Sequence, residues 1–126
     1  MDNTKKKILV VDDDHHLLET IGHTLKDAGF EVLTAYDGQE GLNTAYAQKP
    51  DLIIFDVIMP KMDGLTALRE LRKDQWGGNV PVIILTNASD NDKLAEALEL
   101  GIDEYIIKSN VQLSHIAERI KRMLGV

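Results

Sequence analysis

Short apolar runs alternate along the chain with stretches in which apolar residues recur at helical spacing, five times over. The first run is Lys7 to Val11. Leu17, Leu18, Ile21 and Leu25 then fall three and four residues apart, and Gly29 supplies a stop. Glu31 to Ala35 reads as a second, weaker strand. Asp37-Gly38-Gln39-Glu40 has acidic residues placed as a capping box, which opens a helix through about Gln48 that Pro50 ends. Leu52 to Phe55 is unbroken apolar sequence, the pattern of a strand covered on both faces. From Gly64, Leu65, Leu68 and Leu71 line one side of a third helix, and Gln75 to Asn79 is a loop. Val80 to Leu85 holds the fourth strand, with Pro81 near its start, where a missing N–H is tolerated. Asp90 to Leu100 reads as a short helix closed by Gly101, and Tyr105 to Ile107 as the fifth strand. Ser109 to Gln112 caps a last helix, with Leu113, Ile116, Ile120 and Leu124 facing inward.

The order is (βα) five times, which predicts an α/β fold. Its five-stranded parallel sheet is doubly wound, with right-handed crossovers covering both faces. The length of 126 residues predicts one domain spanning residues 1–126, and the pattern shows no repeat or linker. Apolar residues at 44% and charged residues at 28% are ordinary for a globular chain with a real core. Twenty-one acids against 14 lysines and arginines give a net charge of −7, a poor match to nucleic acid or to an anionic membrane. There is no cysteine, hence no disulfide framework or thiol chemistry. The apolar stretch after the basic start, Ile8 to Val11, is too short for a signal peptide or a membrane span, so the expectation is a cytoplasmic protein.

All strands of a parallel sheet end at one edge, where ligand sites of open α/β folds lie. The residues that follow strands one, three, four and five meet there: Asp12 to Asp14, Asp56, Thr86 and Lys108. Several carboxylates in one pocket repel one another unless a cation fills it. Open oxygen coordination suits Mg²⁺, which keeps several waters. Asp56 is placed as a nucleophile of aspartyl-phosphate chemistry. Lys108 offers a point charge, and Thr86 a hydroxyl, to phosphoryl oxygens.

These residues, in this order and at these separations, resemble the receiver domain of bacterial two-component response regulators. The matching stretches are Ile8 to Asp14, Asp51 to Gly64, Pro81 to Thr86 and Gly101 to Lys108, nearly the whole chain. The resemblance implies a flavodoxin-like three-layer sandwich of the kind found in chemotaxis regulators. By position it makes Asp56 the phosphoacceptor and makes Asp12, Asp13, Asp56 and the backbone carbonyl of Ile58 the Mg²⁺ ligands. Thr86 becomes the switch hydroxyl, Tyr105 the aromatic that follows it, and Lys108 the phosphoryl contact. It further implies a histidine kinase or phosphotransfer protein as donor. The surface of the fourth helix, fifth strand and fifth helix would change on phosphorylation to meet a downstream effector protein or an effector domain, and a phosphorylation-dependent dimer is a possible outcome. No enzymatic activity beyond self-catalysed phosphotransfer and autodephosphorylation is implied.

The chain departs from the family pattern twice. Ser109 stands where a proline usually follows the lysine, and a cis bond before a non-proline costs roughly 2.5–4 kcal/mol, so a trans Lys108–Ser109 bond is expected. Asn87 stands where a small residue usually follows the switch threonine, and its amide either narrows access to Asp56 or bonds a phosphoryl oxygen. Both changes are expected to alter phosphoryl lifetime.

Plainer readings attach to several residues. Asp14 is a helix N-cap and Asp63-Gly64 a loop and helix start. His15, His16, His23 and His115 form no zinc pattern and read as solvated or packing side chains. Trp76 covers an edge of the core, and Lys5 to Lys7 is a solvated charge run. With only Gly125 and Val126 after Leu124, the sequence leans toward a standalone regulator over an excised domain. Three other functions fit this architecture: a flavodoxin-type cofactor carrier, which three aspartates after the first strand oppose; a metal-dependent phosphatase with Asp56 as nucleophile; and a pseudo-receiver that binds partners without phosphorylation.

Overall fold

The alternation of short apolar runs and helical spacing becomes β1 (Lys7–Val11), α1 (His15–Asp27), β2 (Glu31–Ala35), α2 (Gly38–Gln48), β3 (Leu52–Asp56), α3 (Gly64–Lys73), β4 (Val82–Thr86), α4 (Asn91–Glu99), β5 (Glu104–Ile107) and α5 (Leu113–Leu124). This computed structural model describes residues 5–57, 59, 61–86, 91–108 and 113–126. The strands form one parallel sheet in the order β2-β1-β3-β4-β5. The chain steps outward from β1 to β2 and then back past β1 to β3. That reversal opens a crevice at the carboxyl ends of β1 and β3, the place where ligands sit in such sheets.

Because side chains alternate across a strand, each strand feeds two cores. Leu9, Val11, Ile53, Phe55, Val82 and Ile84 pack with Leu42 and Ala45 of α2, Leu65, Leu68 and Leu71 of α3, and Ala97 of α4. Ile8, Val10, Leu52, Ile54, Ile83 and Leu85 pack on the other face with Leu18, Ile21 and Leu25 of α1 and Ile116, Ala117 and Ile120 of α5. The edge strand β2 is largely uncovered, which is why its sequence is the weakest strand signal.

Three aspartates close the amino ends of helices. Asp14 accepts from the Leu17 N–H, Asp37 from Glu40 and Asp63 from Thr66. Each such cap is worth about 1 kcal/mol, an ordinary structural use of the residue. The capping box at Asp37 is displaced by one residue: the Glu40 carboxylate reaches back to the Tyr36 N–H at 3.3 Å. Other boundaries also move slightly. β4 begins at Val82, after Pro81, whose carbonyl alone joins the ladder by accepting from Ile53 N–H at 3.0 Å. The end of α2 does not move: it falls at Gln48, and the C-cap Lys49 takes the left-handed region, φ 46°, just ahead of Pro50. Leu17 and Leu124 are only partly buried against the α1/α5 core. Ser109 to Gln112 lies outside the described residues, as does the side chain of Leu113. Trp76 packs half-buried on the α2/α3 core, and the Lys49 ammonium lies 5.1 Å from the centre of its ring.

Arg72, near the end of α3, ties the opposite edge of the sheet together. Its guanidinium donates to the carbonyls of Leu100 at 2.8 Å, Gly77 at 2.8 Å, Val80 at 2.8 Å and Gly101 at 2.9 Å. The last turn of α4 carries no basic residue, so this arginine supplies the cation at its carboxyl end from a neighbouring helix. Burial pulls the Arg72 pKa below its ordinary value, with the Asp103 charge opposing. Arg72→Met should lower unfolding stability by roughly 2–4 kcal/mol in urea melts, since it leaves charge-assisted bonds to carbonyls unmade.

Candidate functional site

The register of the sheet builds the site. Val11 of β1 pairs with Phe55 of β3, so the next residues, Asp12 and Asp56, stand side by side at the crevice. Asp56 pairs with Leu85 of β4, which sets Thr86 one step beyond it, and Thr86 pairs with Ile107, after which comes Lys108. Four residues far apart in sequence thus converge because parallel strands end together.

Asp12 is 1% exposed, Asp56 5% and Thr86 1%, so these polar side chains at the rim are buried. The Asp12 N–H donates to the Ala35 carbonyl at 3.1 Å, and its Oδ1 accepts from the Asp14 N–H at 2.9 Å. That leaves Oδ2 for the lysine. Lys108 Nζ lies 2.8 Å from Asp12 Oδ2 and 3.3 Å from Asp56 Oδ2, bridging the two buried carboxylates. Asp13 is exposed beside them, and oxygens of Asp12, Asp13 and Asp56 all lie within 4.8 Å of one another.

The charge is out of balance. Burial, and after it the Asp12 charge, raises the Asp56 pKa to about 6, while Lys108 pulls the other way. For Lys108, burial alone would lower the pKa. Its bond to Asp12 and the charges of Asp56 and Asp12 outweigh that and raise it. Three carboxylates facing one ammonium are a site short of positive charge. Hard oxygen donors at this spacing, one of them open to water, fit a small divalent ion such as Mg²⁺. Among the described residues this is the one group of three or more such side chains close enough to share a metal.

Tyr105 lies opposite Ile84, half-buried, and packs on the α2/α3/α4 core, the same face of the sheet that Thr86 joins. Ile58, Asn87 and Ser109 lie outside the described residues, and with them the proposed carbonyl ligand and the Lys108–Ser109 bond. The histidines do not gather into a site. His15, His16, His23 and His115 are exposed, and His15 stacks on Tyr36 with ring centres 4.2 Å apart. His15, Glu19, His23 and Lys26 edge an open groove of about 340 Å³ between α1 and β2.

Two features carry no legible sequence signal. The partners of Arg72 are all backbone carbonyls, which no motif announces. Gly38, read from sequence as part of a cap, touches the loop that follows Asp56: its N–H donates to the Met62 carbonyl at 3.0 Å.

Comparison with known proteins agrees with this geometry. A family model described as response regulator receiver domain matches residues 8–121. The chain is 39% identical over 121 residues to the transcriptional regulatory protein PrrA of Mycobacterium tuberculosis, covering 96% of this chain and 51% of that one. It is 40% identical over 103 residues to the alkaline phosphatase synthesis transcriptional regulatory protein PhoP of Bacillus subtilis, covering 82% of this chain and 42% of that one. The chain thus spans about half or less of the length of these relatives. Among solved structures, the chemotaxis response regulator CheY4 of Vibrio cholerae superposes with a TM-score of 0.87 at 33% identity, covering 96% of this chain and all of that one. A CheY-like receiver domain protein from Methanospirillum hungatei JF-1 gives 0.90 at 30% identity, covering 97% and 95%.

Proposed function

The chain belongs to the response regulator receiver domain family, and from that premise we propose that Asp56 is its phosphoacceptor and that residues 1–126 act as one receiver unit. The observation that carries this reading is the Lys108 ammonium set between the buried carboxylates of Asp12 and Asp56, with Asp13 alongside. A receiver is a phosphoacceptor switch of two-component signalling. In this one, an Asp56 carboxylate oxygen attacks the phosphorus of a histidine-kinase or phosphotransfer-protein phosphohistidine. An O–P bond forms, the P–N bond breaks, and the imidazole leaves with the bonding electrons. Asp12, Asp13, Asp56 and the Ile58 carbonyl would hold Mg²⁺, which when bound supplies positive charge between the acceptor and the phosphoryl oxygens. Lys108 pairs with one of those oxygens, leaving Asp12 to do so. The Thr86 hydroxyl donates to another, and Tyr105 on the same face follows it inward. The added charge favours one of two packings of the α4-β5-α5 surface, the surface offered to an effector protein or domain or to a second copy.

No helix among the described residues is long and apolar enough to cross a membrane, and the natural setting for a kinase donor of this class is the cytoplasm. Self-catalysed transfer and hydrolysis at Asp56 are the only chemistry this reading assigns.

Incubation with acetyl phosphate and Mg²⁺, followed by intact-mass measurement and peptide mapping, tests the reading. One phosphoryl group per chain, on Asp56, is the expected result. Catalytic turnover of external phosphoesters would make the protein a phosphatase instead, and no labelling at all would make it a phosphorylation-independent binding module. Thr86→Ala should keep labelling within about threefold yet lose the change in Tyr105 ring resonances, because the hydroxyl reads the phosphoryl group without accepting it. A variant with a full Tyr105 response would remove Thr86 from the switch.

A further inference from the structure

We propose that Gly38 is a positioning residue for the acceptor site: its N–H and its missing Cβ fix Lys61 to Asp63, the limb that leads back to Gly64, in the place that Mg²⁺ binding beside Asp56 requires. This rests on the assignment of Asp56 above and extends it to a residue on a different element.

The loop is closed at its base by Gly64. The Gly64 N–H donates to the Val57 carbonyl at 2.8 Å, and a Cβ there would lie 2.0 Å from the Asp56 carbonyl oxygen. The returning limb is pinned from outside. Met62 presents its carbonyl to the Gly38 N–H at 3.0 Å. A Cβ on Gly38 would lie 2.2 Å from that oxygen, 2.9 Å from the Met62 carbonyl carbon and 3.0 Å from its Cβ. The obstruction is mainly backbone, so no rotamer change relieves it. The first N–H groups of a helix have no partner within it, so α2 has this donor to spend on the loop.

Two further observations make the seam a fixed reference and not a chance contact. Lys61, next to Met62, holds the left-handed region at φ 67°, an unusual choice for a side-chain-bearing residue, and its ammonium lies 3.7 Å from Asp37 Oδ2. Asp37 in turn caps α2 through the Glu40 N–H. α2 itself is seated on the sheet by Gly41, where a Cβ would meet both Val11 methyls at 2.9 Å and Phe55 at 3.4 Å. Val11 and Phe55 are the residues immediately before Asp12 and Asp56. The helix therefore takes its position from the same two strand ends that carry the carboxylates and passes it to the loop.

Gly38→Ala must push Met62 outward by on the order of 1 Å, a displacement of the size that degrades reacting geometry. Because Asp56 lies within the buried strand β3, the acceptor itself stays in place. The Mg²⁺ dissociation constant, measured by calorimetry, should rise at least fivefold. The Mg²⁺ concentration for half-maximal labelling by acetyl phosphate should rise in parallel. Gly22→Ala, whose new Cβ meets only Val32 Cγ1 at 3.8 Å, is the control and should change neither.

The wild-type protein supplies a second, independent test. Coupling between sites is reciprocal, so if the seam favours Mg²⁺ binding, saturating Mg²⁺ must strengthen the seam. Hydrogen exchange at the Gly38 amide should slow at least fivefold on adding Mg²⁺. If wild type labels at Asp56 but Gly38→Ala binds Mg²⁺ as wild type does, the inference fails while the acceptor assignment stands. If Gly38→Ala does not fold, an unchanged Gly38 exchange rate in wild type overturns it. A wild-type protein that neither labels nor binds Mg²⁺ removes both.

Discussion

Asp56→Asn is expected to abolish phosphoryl labelling by acetyl phosphate and, in the same metal-free protein, to raise unfolding stability above pH 6. The two effects have one cause. Asp56 is buried beside a second buried carboxylate, Asp12, and among the described residues Lys108 is the one cation paired with both. Its pKa stands at about 6, because burial and the Asp12 charge both disfavour the anion. In the unfolded chain an aspartate titrates at about 3.9. The folded state therefore holds an extra proton between about pH 4 and pH 6, and stability falls as pH rises through that window. The loss is complete once pH exceeds the folded value. A gap of about two pH units corresponds to at most about 2.7 kcal/mol, and water and salt at the rim reduce it to roughly 1–2 kcal/mol. Asparagine keeps the shape and removes the charge, so urea melts of the variant should lack this descent between pH 4 and 7. A variant that labels would move the acceptor elsewhere, and one whose stability still falls over the same window would place the proton on another group.

Much of this site is legible in the sequence. Leu52 to Phe55 announced a doubly covered strand, and a strand of a parallel sheet can only deliver its next residue, Asp56, to the common edge. The same reasoning delivered Asp12, Asp13, Thr86 and Lys108, because strand ends are set by hydrophobic runs that a sequence displays. Capping aspartates were separable from the rest for the same reason: Asp14 and Asp63 precede helical spacing, and both do cap. What stayed hidden is what depends on backbone partners. The order β2-β1-β3-β4-β5, which makes β1 and β3 neighbours, follows from how crossovers close and not from any residue pattern. Asp12 and Asp56 could be predicted to share an edge, but the lysine bridge between them needed the register of β4 on β5. Arg72 and Gly38 act on carbonyls, whose positions no alphabet of side chains records. β4 was displaced toward Thr86 because Pro81, apolar and therefore counted with the strand, has no N–H to give the ladder.

Lys108→Met should move two properties of the site in opposite directions, tightening Mg²⁺ while slowing phosphoryl transfer. The ammonium lies 2.8 Å from Asp12 Oδ2 and 3.3 Å from Asp56 Oδ2, which are oxygens a divalent ion would also claim. Lysine and metal would therefore compete for the same lone pairs. Unit charges about 4 Å apart interact by about 4 kcal/mol at an effective dielectric near 20. Because the lysine stem can swing aside when an ion enters, only part of this is felt, and a tenfold gain in Mg²⁺ affinity, about 1.4 kcal/mol, is the expected size. The labelling rate should fall roughly a hundredfold or more, the usual cost of removing one preorganised donor from a transferring group. Calorimetry for Mg²⁺ and timed intact-mass measurements for transfer separate the two. If affinity and rate fall together, Lys108 builds the acidic pocket and does not compete within it. In that case its contacts with Asp12 and Asp56 are what keep those carboxylates aligned for the ion.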